Sequence, residues 1–201
     1  MLKDKKIALC ITGSIAAYKA CELASTLVKA GAQVQCIMTK GACEFISPLT
    51  LRTLTSRPVM SEMFEEPRQW NVEHIAVSQW ADLFLLAPAT ANIIGKMANG
   101  LADDLLSAVL MAAQKPIIVA PAMNTGMYYN PAVQDNMKRL KERGILFVEP
   151  EEGLLACGDV GKGRLAPVEQ ILQMAEFVLY KDKPLAGRNL LITAGPTREP
   201  I

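Results

Sequence analysis

The chain has 201 residues, a formal net charge of +1 and nearly equal numbers of acidic and basic side chains. This balance disfavours a nucleic-acid partner or a membrane surface, because both require clustered positive charge. No apolar run reaches the roughly 18 residues of a membrane-spanning helix, and the apolar run at the basic N-terminus is too short for a signal peptide. These features predict a soluble, cytoplasmic protein.

Apolar runs alternate with helical patterns along most of the chain. Predicted strands cover residues 7–11, 34–38, 83–86, 117–120 and 145–148, and predicted helices cover 15–30, 44–54, 91–113, 131–143 and 167–179. The strands lack polar alternation, as expected for parallel strands buried on both faces. Gly31 and Gly144 stand where helix C-terminal caps are expected. The pattern predicts an α/β fold with a doubly wound parallel sheet in three Rossmann-like layers.

Ligands of such folds bind beyond the carboxyl ends of the strands, so the loops that follow the strands are the candidates. The sequences TGSIAA, APATAN, APAMNTGMYYNP and PEEGLLACGDVGKGRLAP follow the first, third, fourth and fifth predicted strands. A long segment with two prolines, residues 56–82, precedes the third strand and holds the only histidine of the sequence, His74. A segment of this length predicts a functional loop.

The turn after the first strand has the arrangement of an anion site, because the free N–H groups at a helix start can hold a phosphate. The dinucleotide fingerprint needs three glycines, however, and Gly13 is the only glycine in this turn. The turn by itself leaves a phosphate site and a plain tight turn equally open.

The five cysteines include no Cys-x-x-Cys pair, so no metal site is predicted. Cys10 and Cys36 fall in predicted strands and Cys21 in a predicted helix, where we expect them to act as small buried apolar side chains. Cys157 differs, because its segment is rich in glycine and charge.

The C-terminal residues suggest the start of another unit. Residues 182–188 read as a linker and residues 189–193 as a strand with no helix after it. We therefore expect one domain at 1–181, a linker at 182–188 and the truncated start of a second domain at 189–201. The alternative is a last edge strand of the first domain.

Five segments in order resemble motifs of the homo-oligomeric flavin-containing cysteine decarboxylases. They are TGSIAAYK, His74, APATANIIGKMANGLADDLL, PAMNTGMY and ACGDVGKGR. The resemblance covers residues 5–180, and the tail AGRNLLITAGPTREPI resembles the opening of a phosphopantothenate–cysteine ligase domain. Tyr128 stands where the family motif has tryptophan, and Thr90 and Ile93 stand where the family often has serine and threonine.

The resemblance implies FMN as the cofactor, and a mononucleotide with one phosphate suits a turn with one glycine. The implied cofactor contacts are Gly13, Ser14, Ile15, Thr39, Thr90, Ala91, Asn92 and Ala122.

The implied reaction is decarboxylation of 4′-phosphopantothenoylcysteine to 4′-phosphopantetheine in coenzyme A biosynthesis. It proceeds by oxidation on the thiol side, loss of CO2, protonation and re-reduction. The implied partners are a missing ligase domain in the same polypeptide and further copies of the chain, as trimers or dodecamers.

The resemblance also implies roles for three residues: His74 as base, Asn124 as anchor of the substrate carboxylate, and Cys157 as proton donor. Implied substrate contacts are Asn124, Met127, Leu155, Ala156 and Cys157. On residue type alone, His74 reads as a structural histidine and Asn124 equally as a helix cap, whereas the glycine-rich, charged segment around Cys157 disfavours a buried filler. Lys162 and Arg164 are expected either to meet the substrate phosphate or to be solvated.

Two alternatives remain from the sequence. One is a peptidyl-cysteine decarboxylase of the same family, which the ligase-like tail disfavours. The other is a non-catalytic binding or regulatory module with the flavin fold. The presence of His74, Asn124 and Cys157 together favours an enzyme.

Overall fold

The computed structural model describes residues 2–63, 73–156, 158–180, 187–189, 191 and 195. These residues form a five-stranded sheet in the order β2-β1-β3-β4-β5, with every pairing parallel. The strands are β1 (Lys6–Ile11), β2 (Gln33–Met38), β3 (Leu83–Ala89), β4 (Ile117–Pro121) and β5 (Leu146–Phe147). The predicted parallel sheet is confirmed. The chain reverses its direction of winding between β1 and β3, where such folds open a crevice for ligands.

Helices cover both faces of the sheet. A 3-10 helix (Ile15–Tyr18) leads into α1 (Lys19–Lys29), and the others are α2 (Lys40–Cys43), α3 (Pro48–Thr55), α4 (Glu73–Trp80), α5 (Ala91–Asn99), α6 (Leu105–Ala112), α7 (Thr125–Tyr128), α8 (Pro131–Glu142) and α9 (Val168–Leu179). Alternate residues of β1 point to opposite faces. Ile7 and Leu9 join a core with residues of α1 and α9, whereas Ala8 and Cys10 join one with residues of α5, α6 and α8. The predicted three layers are therefore present.

Glycines end the helices where the sequence predicts it. Gly31 and Gly144 have φ angles of +86° and +85°, which a side chain with a Cβ tolerates poorly. Gly100 has φ +72° and divides the predicted helix 91–113 into α5 and α6. Asp104 then restarts the chain as α6, because its carboxylate accepts the Ser107 N–H at 2.8 Å in a capping box.

Three other predictions of secondary structure were wrong in detail. The predicted helix 44–54 is replaced by α2 and α3, since Ser47 caps a new helix whose first residue is Pro48. The predicted loop 56–82 contains α4, which buries Val77 against the core. The segment after β5 is a hairpin of antiparallel strands, β6 (Glu151–Leu154) and β7 (Val160–Arg164).

Burial accounts for the cysteines in the strands. Cys10 and Cys36 are fully buried, and burial raises the pKa of both thiols, that of Cys36 to about 12. These thiols stay protonated at neutral pH and behave as small apolar side chains, as predicted. Cys21 is half-buried and packs against the same core as Cys36.

Two further expectations concern membrane-spanning helices and the boundary between domains. No helix among the described residues is long and apolar enough to cross a bilayer. The predicted linker 182–188 and strand 189–193 lie largely outside the described residues. The domain boundary at residue 181 therefore stays a prediction.

Candidate active site

Two cavities open at the carboxyl edge of the sheet, one on each side of the turn after β1. The larger has a volume of about 650 Å³ and lies against the loops after β1, β2 and β3. The smaller has a volume of about 430 Å³ and lies against the loops after β1 and β4 and the β6–β7 hairpin. Both volumes are in the usual range of small-molecule sites.

The turn after β1 is fixed to the loop after β3. The Thr12 hydroxyl donates to the Pro88 carbonyl at 2.7 Å and accepts the Thr90 N–H at 3.1 Å. A Cβ at Gly13 would lie 2.8 Å from the Gly41 backbone carbon, so a glycine is needed for the close approach to the turn after β2. The loops after three neighbouring strands are thereby held together.

Three hydroxyl groups cap the helices that begin in these loops. Ser14 Oγ accepts the Ala16 N–H at 3.3 Å, Thr39 Oγ1 accepts Ala42 N–H at 3.2 Å, and Thr90 Oγ1 accepts Ile93 N–H at 3.5 Å. A hydroxyl that accepts a cap bond keeps its own proton to donate. Thr39 and Thr90 line the larger cavity and Ser14 lines the smaller one, so both present donors suited to an anion.

Two of the carboxylates that line the larger cavity share one lysine. Asp103 and Asp104 both line it, and the Lys96 amino group lies 2.6 Å and 2.7 Å from their respective oxygens. Partial burial by itself would lower the pKa of Lys96, but hydrogen bonds to the two aspartates outweigh it and raise that pKa. Burial likewise acts against ionised Asp104, yet the bonds from Lys96 and Ser107 lower its pKa. Lys96 therefore offsets one of the two carboxylate charges, and the cluster keeps a formal charge of −1.

Asn124 leads from β4 into α7 and lines the smaller cavity. Its Oδ1 accepts the Gly126 N–H at 2.7 Å, and its Nδ2 donates to Asp159 Oδ2 at 3.0 Å. The side chain is therefore the helix cap that its residue type suggests. The amide oxygen faces α7 and the amide nitrogen faces the hairpin. These two contacts together fix the orientation of the Asn124 amide.

The hairpin lies directly on the backbone of the loop after β4. Met123 N–H donates to the Gly163 carbonyl at 2.9 Å. Gly163 has φ +148°, and a Cβ there would collide with the Met123 carbonyl oxygen. A Cβ at Gly161 would lie 2.7 Å from Thr125 Oγ1. The two glycines of VGKGR thus allow β7 to cover the Asn124 turn at backbone distance.

Glu149 joins the base of the hairpin to α7 and α8. Its carboxylate accepts from Tyr128 Oη at 2.8 Å and from Lys141 and Lys162 Nζ at 2.9 Å each. Burial acts to raise the pKa of Glu149, but these three donors lower it to about 2. Lys162 Nζ also lies 5.3 Å from the Tyr128 ring centroid. Tyr128, which replaces the tryptophan of the resembled motif, therefore provides both an aromatic face and a hydroxyl.

The structure divides the predicted site residues between the two cavities. The smaller is lined by Ser14, Ile15, Ala122, Asn124, Leu155 and Ala156, and the larger by Gly13, Thr39, Thr90, Asn92 and Met127. Ala91 begins α5 and lines neither. His74 is the second residue of α4, half-buried, and also lines neither. Cys157 lies outside the described residues.

Other lining residues were missed by the sequence analysis. The smaller cavity also includes Tyr18, Lys19, Met123, Leu154 and Leu165, and the larger includes Lys40, Asp103 and Asp104. Lys19 lies four positions after Ile15 and Lys40 directly follows Thr39, so their spacing from predicted residues was a usable signal. Leu154 and Leu165 gave no signal as individual residues, although the segment that contains them was among the candidate ligand loops.

Residues 1–178 match the family described as Flavoprotein, and the chain belongs to that family. The predicted flavoprotein family is thus confirmed, and a flavin is the class of cofactor that it indicates.

Similarity to individual proteins is more specific. Over 203 residues the chain is 51% identical to the coenzyme A biosynthesis bifunctional protein CoaBC of Bacillus subtilis (strain 168), an alignment that covers 100% of this chain and 50% of the relative. The chain spans about half the length of the curated relatives it matches.

Two solved structures share the fold over most of the chain. One is a PPC decarboxylase mutant complexed with pantothenoylaminoethenethiol, with TM-score 0.78, 32% identity and coverage of 87% of this chain and 98% of that one. The other is the FMN binding protein AtHal3, with TM-score 0.77, 34% identity and coverage of 88% and 97%.

Proposed function

We propose that the chain is an FMN-dependent decarboxylase domain that converts 4′-phosphopantothenoylcysteine to 4′-phosphopantetheine in coenzyme A biosynthesis. One observation carries the proposal: the Gly13–Ile15 turn borders both cavities, one with the hydroxyls of Thr39 and Thr90 and the other with the Ser14 hydroxyl and the uncharged amide of Asn124. Similarity of the whole chain to the CoaBC protein and to a PPC decarboxylase structure supports it.

The residues present fit FMN. A phosphate monoester needs several donors, which Thr39 and Thr90 provide in the larger cavity and Ser14 provides on the adjoining turn. Lys96 offsets one of the two carboxylate charges of Asp103 and Asp104. Gly13, Ile15, Ala91, Asn92 and Ala122 would complete the contacts with the cofactor. The strand order supports the same assignment, because flavodoxin-like sheets bind FMN where winding reverses between β1 and β3.

A carboxylate beside an amide nitrogen loses CO2 slowly, since the electrons left behind have no sink. Bound FMN would supply a two-electron oxidation of the neighbouring thiol-bearing carbon and return those electrons at the end. The thiocarbonyl formed on the substrate can then take up the electrons of the departing CO2. Pantothenoylaminoethenethiol, the ligand of the similar solved mutant, is the kind of unsaturated thiol that this route produces.

The chain's own residues bind the substrate and move protons. Asn124 would hold the carboxylate through N–H donation without a positive charge that would retain CO2. His74 would take the thiol proton, because a neutral imidazole nitrogen is a proton acceptor. Cys157 would protonate the carbon after CO2 has left, because a thiol with an ordinary pKa of about 8.5 is mostly protonated at neutral pH. Met127, Leu155 and Ala156 would contact the remaining substrate.

The position of His74 supports a site shared between copies of the chain, in a trimer or dodecamer. His74 lines neither of the two cavities described, and a second copy of the chain would bring its own histidine to Asn124. Exposed apolar side chains near the cavities, Ile15, Tyr18, Met127 and Tyr129, provide a surface for such a copy.

Subunit mixing tests this arrangement. His74→Asn and Asn124→Ala chains should each be inactive, and exchange of their subunits should restore part of the activity by forming sites with both native residues. Mixtures that exchange subunits, as shown by native mass spectrometry, yet stay inactive would place both residues in one chain.

The chain matches only half the length of its bifunctional relatives, and this supports a ligase domain following this one in the full polypeptide.

The direct test is turnover by the purified, FMN-loaded chain. We expect phosphopantothenoylcysteine to be converted to phosphopantetheine and CO2 with no external electron acceptor, as measured by mass spectrometry. A peptide with a C-terminal cysteine, supplied in parallel, should not react. Reaction of the peptide alone would favour the peptidyl-cysteine decarboxylase, and absence of turnover of either compound would favour a non-catalytic module.

Cys157→Ser separates the steps. A serine hydroxyl is too weak an acid to replace the thiol, so the variant should release CO2 and accumulate the unsaturated thiol with reduced flavin. His74→Asn should fail before flavin reduction. Normal turnover by Cys157→Ser in rapid-mixing spectra would contradict the proton-donor role.

A further inference from the structure

We propose that Lys19 and Arg164 bind the phosphate monoester of the substrate and thereby select the phosphorylated acyl-cysteine over its unphosphorylated form. This inference rests on the proposed function and adds a subsite to it. It also separates Arg164 from Lys162, which the sequence left as equal candidates.

Lys19 and Arg164 are the charged side chains among the described residues that line the smaller cavity. They come from different parts of the fold, since Lys19 is the first residue of α1 and Arg164 is the last residue of β7. Two cations from distant segments therefore converge on a cavity that has no carboxylate among its described lining residues. Such a cavity attracts an anion.

The two charges are not neutralised by described neighbours. Neither Lys19 nor Arg164 has an ion pair within the described part of the chain, whereas Lys96, Lys141 and Lys162 all do. Glu151 is the register partner of Arg164 across the hairpin, yet the two side chains form no ion pair. Arg164 is exposed and Lys19 is half-buried, so both charges are available to a ligand at this cavity.

Lys162 has a different task, although it is two residues from Arg164 on the same strand. Its amino group is bound to Glu149 at 2.9 Å and lies over the Tyr128 ring, and it does not line the smaller cavity. The hydrogen bond that Lys162 donates to the Glu149 carboxylate raises the pKa of Lys162. Lys162 thus fixes the hairpin to α7, and Arg164 is left to meet the ligand.

The residue types match the two anionic ends of the substrate. A phosphate stays bound throughout the reaction, and an arginine fork with a lysine point charge suits it. The carboxylate must leave as CO2, and it is met by the neutral amide of Asn124. Apolar lining residues such as Ile15, Leu155 and Leu165 suit the aliphatic arm that joins the two ends.

The experiment compares two substrates on FMN-loaded protein. The values of kcat/KM are measured for phosphopantothenoylcysteine and for pantothenoylcysteine with wild type, Lys19→Ala, Arg164→Ala and Arg164→Lys. Loss of a charge-assisted contact should lower kcat/KM for the phosphorylated substrate about tenfold or more in each alanine variant, mainly through KM. The unphosphorylated substrate should change less than about twofold, and Arg164→Lys should be intermediate. Lys29→Ala, at the far end of α1, is the matched control and should change neither value.

The flavin carries a phosphate of the same chemistry, so a second measurement separates the two sources. FMN and riboflavin affinities are measured by flavin fluorescence for the same variants, and neither should change. A selective loss of FMN affinity would assign the cations to the cofactor and overturn the inference. An equal loss of kcat/KM for both substrates would reduce the residues to a structural role and also overturn it. Wild-type protein that binds FMN but converts neither compound would instead overturn the proposed function, and this inference with it.

Discussion

The side-chain nitrogen of Asn124 donates to a carboxylate oxygen of Asp159 at 3.0 Å, and this bond joins the loop after β4 to the β6–β7 hairpin. The oxygen of the same amide accepts the Gly126 N–H at 2.7 Å. Together the two contacts define which end of the amide faces α7. Asp159 is therefore a positioning residue for the proposed carboxylate anchor, and the hairpin contributes to the site before any substrate arrives.

Removal of the Asp159 carboxylate should weaken substrate binding and leave the flavin in place. Asp159→Ala frees the Asn124 amide to rotate, so we expect kcat/KM to fall about tenfold, mainly through KM, from the loss of one hydrogen bond to a charged group. Asp159→Asn keeps an acceptor oxygen and should recover most of the loss. Glu152→Gln, an exposed carboxylate on the same hairpin, is the control. Equal activity of Asp159→Ala and wild type would show that Asn124 needs no such support.

The hydroxyl of Thr39 should discriminate between flavins. Thr39→Val removes a donor from the larger cavity, and we expect the dissociation constant for FMN to rise about tenfold, as for a hydrogen bond to a charged group. Riboflavin has no phosphate and should bind both proteins alike, whereas Thr39→Ser should retain the wild-type affinity for FMN. Fluorescence titration measures both ligands. A parallel loss for riboflavin would mean that the substitution acts by unravelling the cap of α2.

Glu149 should make stability depend on acid pH. Its pKa is lowered from 4.5 to about 2 in the folded chain, so its contribution is fully present above about pH 4.5 and is lost as pH falls towards 2. Because its side chain is 51% exposed, solvent screening limits the contribution to about 1 kcal/mol. The free energies of unfolding of wild type and Glu149→Gln, measured in urea, should differ above pH 5 and converge near pH 2. A difference that grew on acidification would refute the assignment of the low pKa.

Gly163 should not tolerate a side chain. Gly163→Ala places a Cβ against the Met123 carbonyl at φ +148°, so we expect a loss of about 2 kcal/mol of stability or local opening of the hairpin. Gly153→Ala meets only the Arg164 side chain, at 3.6 Å, and should change stability by less than about 0.5 kcal/mol. Urea unfolding reports the global effect, and hydrogen exchange of the Met123 amide reports the local one. Similar behaviour of the two variants would contradict the close backbone packing.

The tail after residue 183 should be dispensable for the decarboxylase domain. The last described helix, α9, ends at Leu179 and packs on the core through Ile171 and Ala175. Truncation after Lys183 leaves that helix intact, so flavin content, oligomer size and decarboxylation should be unchanged. Loss of flavin or precipitation of the shorter chain would assign the tail to this domain.

The sequence determined the parts of the fold whose patterns are local. The apolar runs of β1 to β4 gave a parallel sheet, since continuous burial leaves no polar alternation. Gly31 and Gly144 marked helix ends because both need positive φ. Predictions failed where the same local pattern is compatible with two different structures. Gly100 and Asp104 interrupt a helical pattern that reads as continuous, and the hairpin is rich in glycine like a loop although β6 and β7 pair.

The sequence by itself also determined which residue types are available for the chemistry: one histidine, an Asn124 after a strand, and hydroxyls at helix starts. Only the tertiary structure decided how they are grouped. It placed Thr39 and Asn124 in different cavities, left His74 outside both, bound Lys162 to Glu149 and placed Arg164 and Lys19 in the lining of one cavity. The physical reason is that helix and strand periods depend on neighbours a few residues away. A binding site instead depends on strand order and hairpin packing between segments more than a hundred residues apart, such as Lys19 and Arg164.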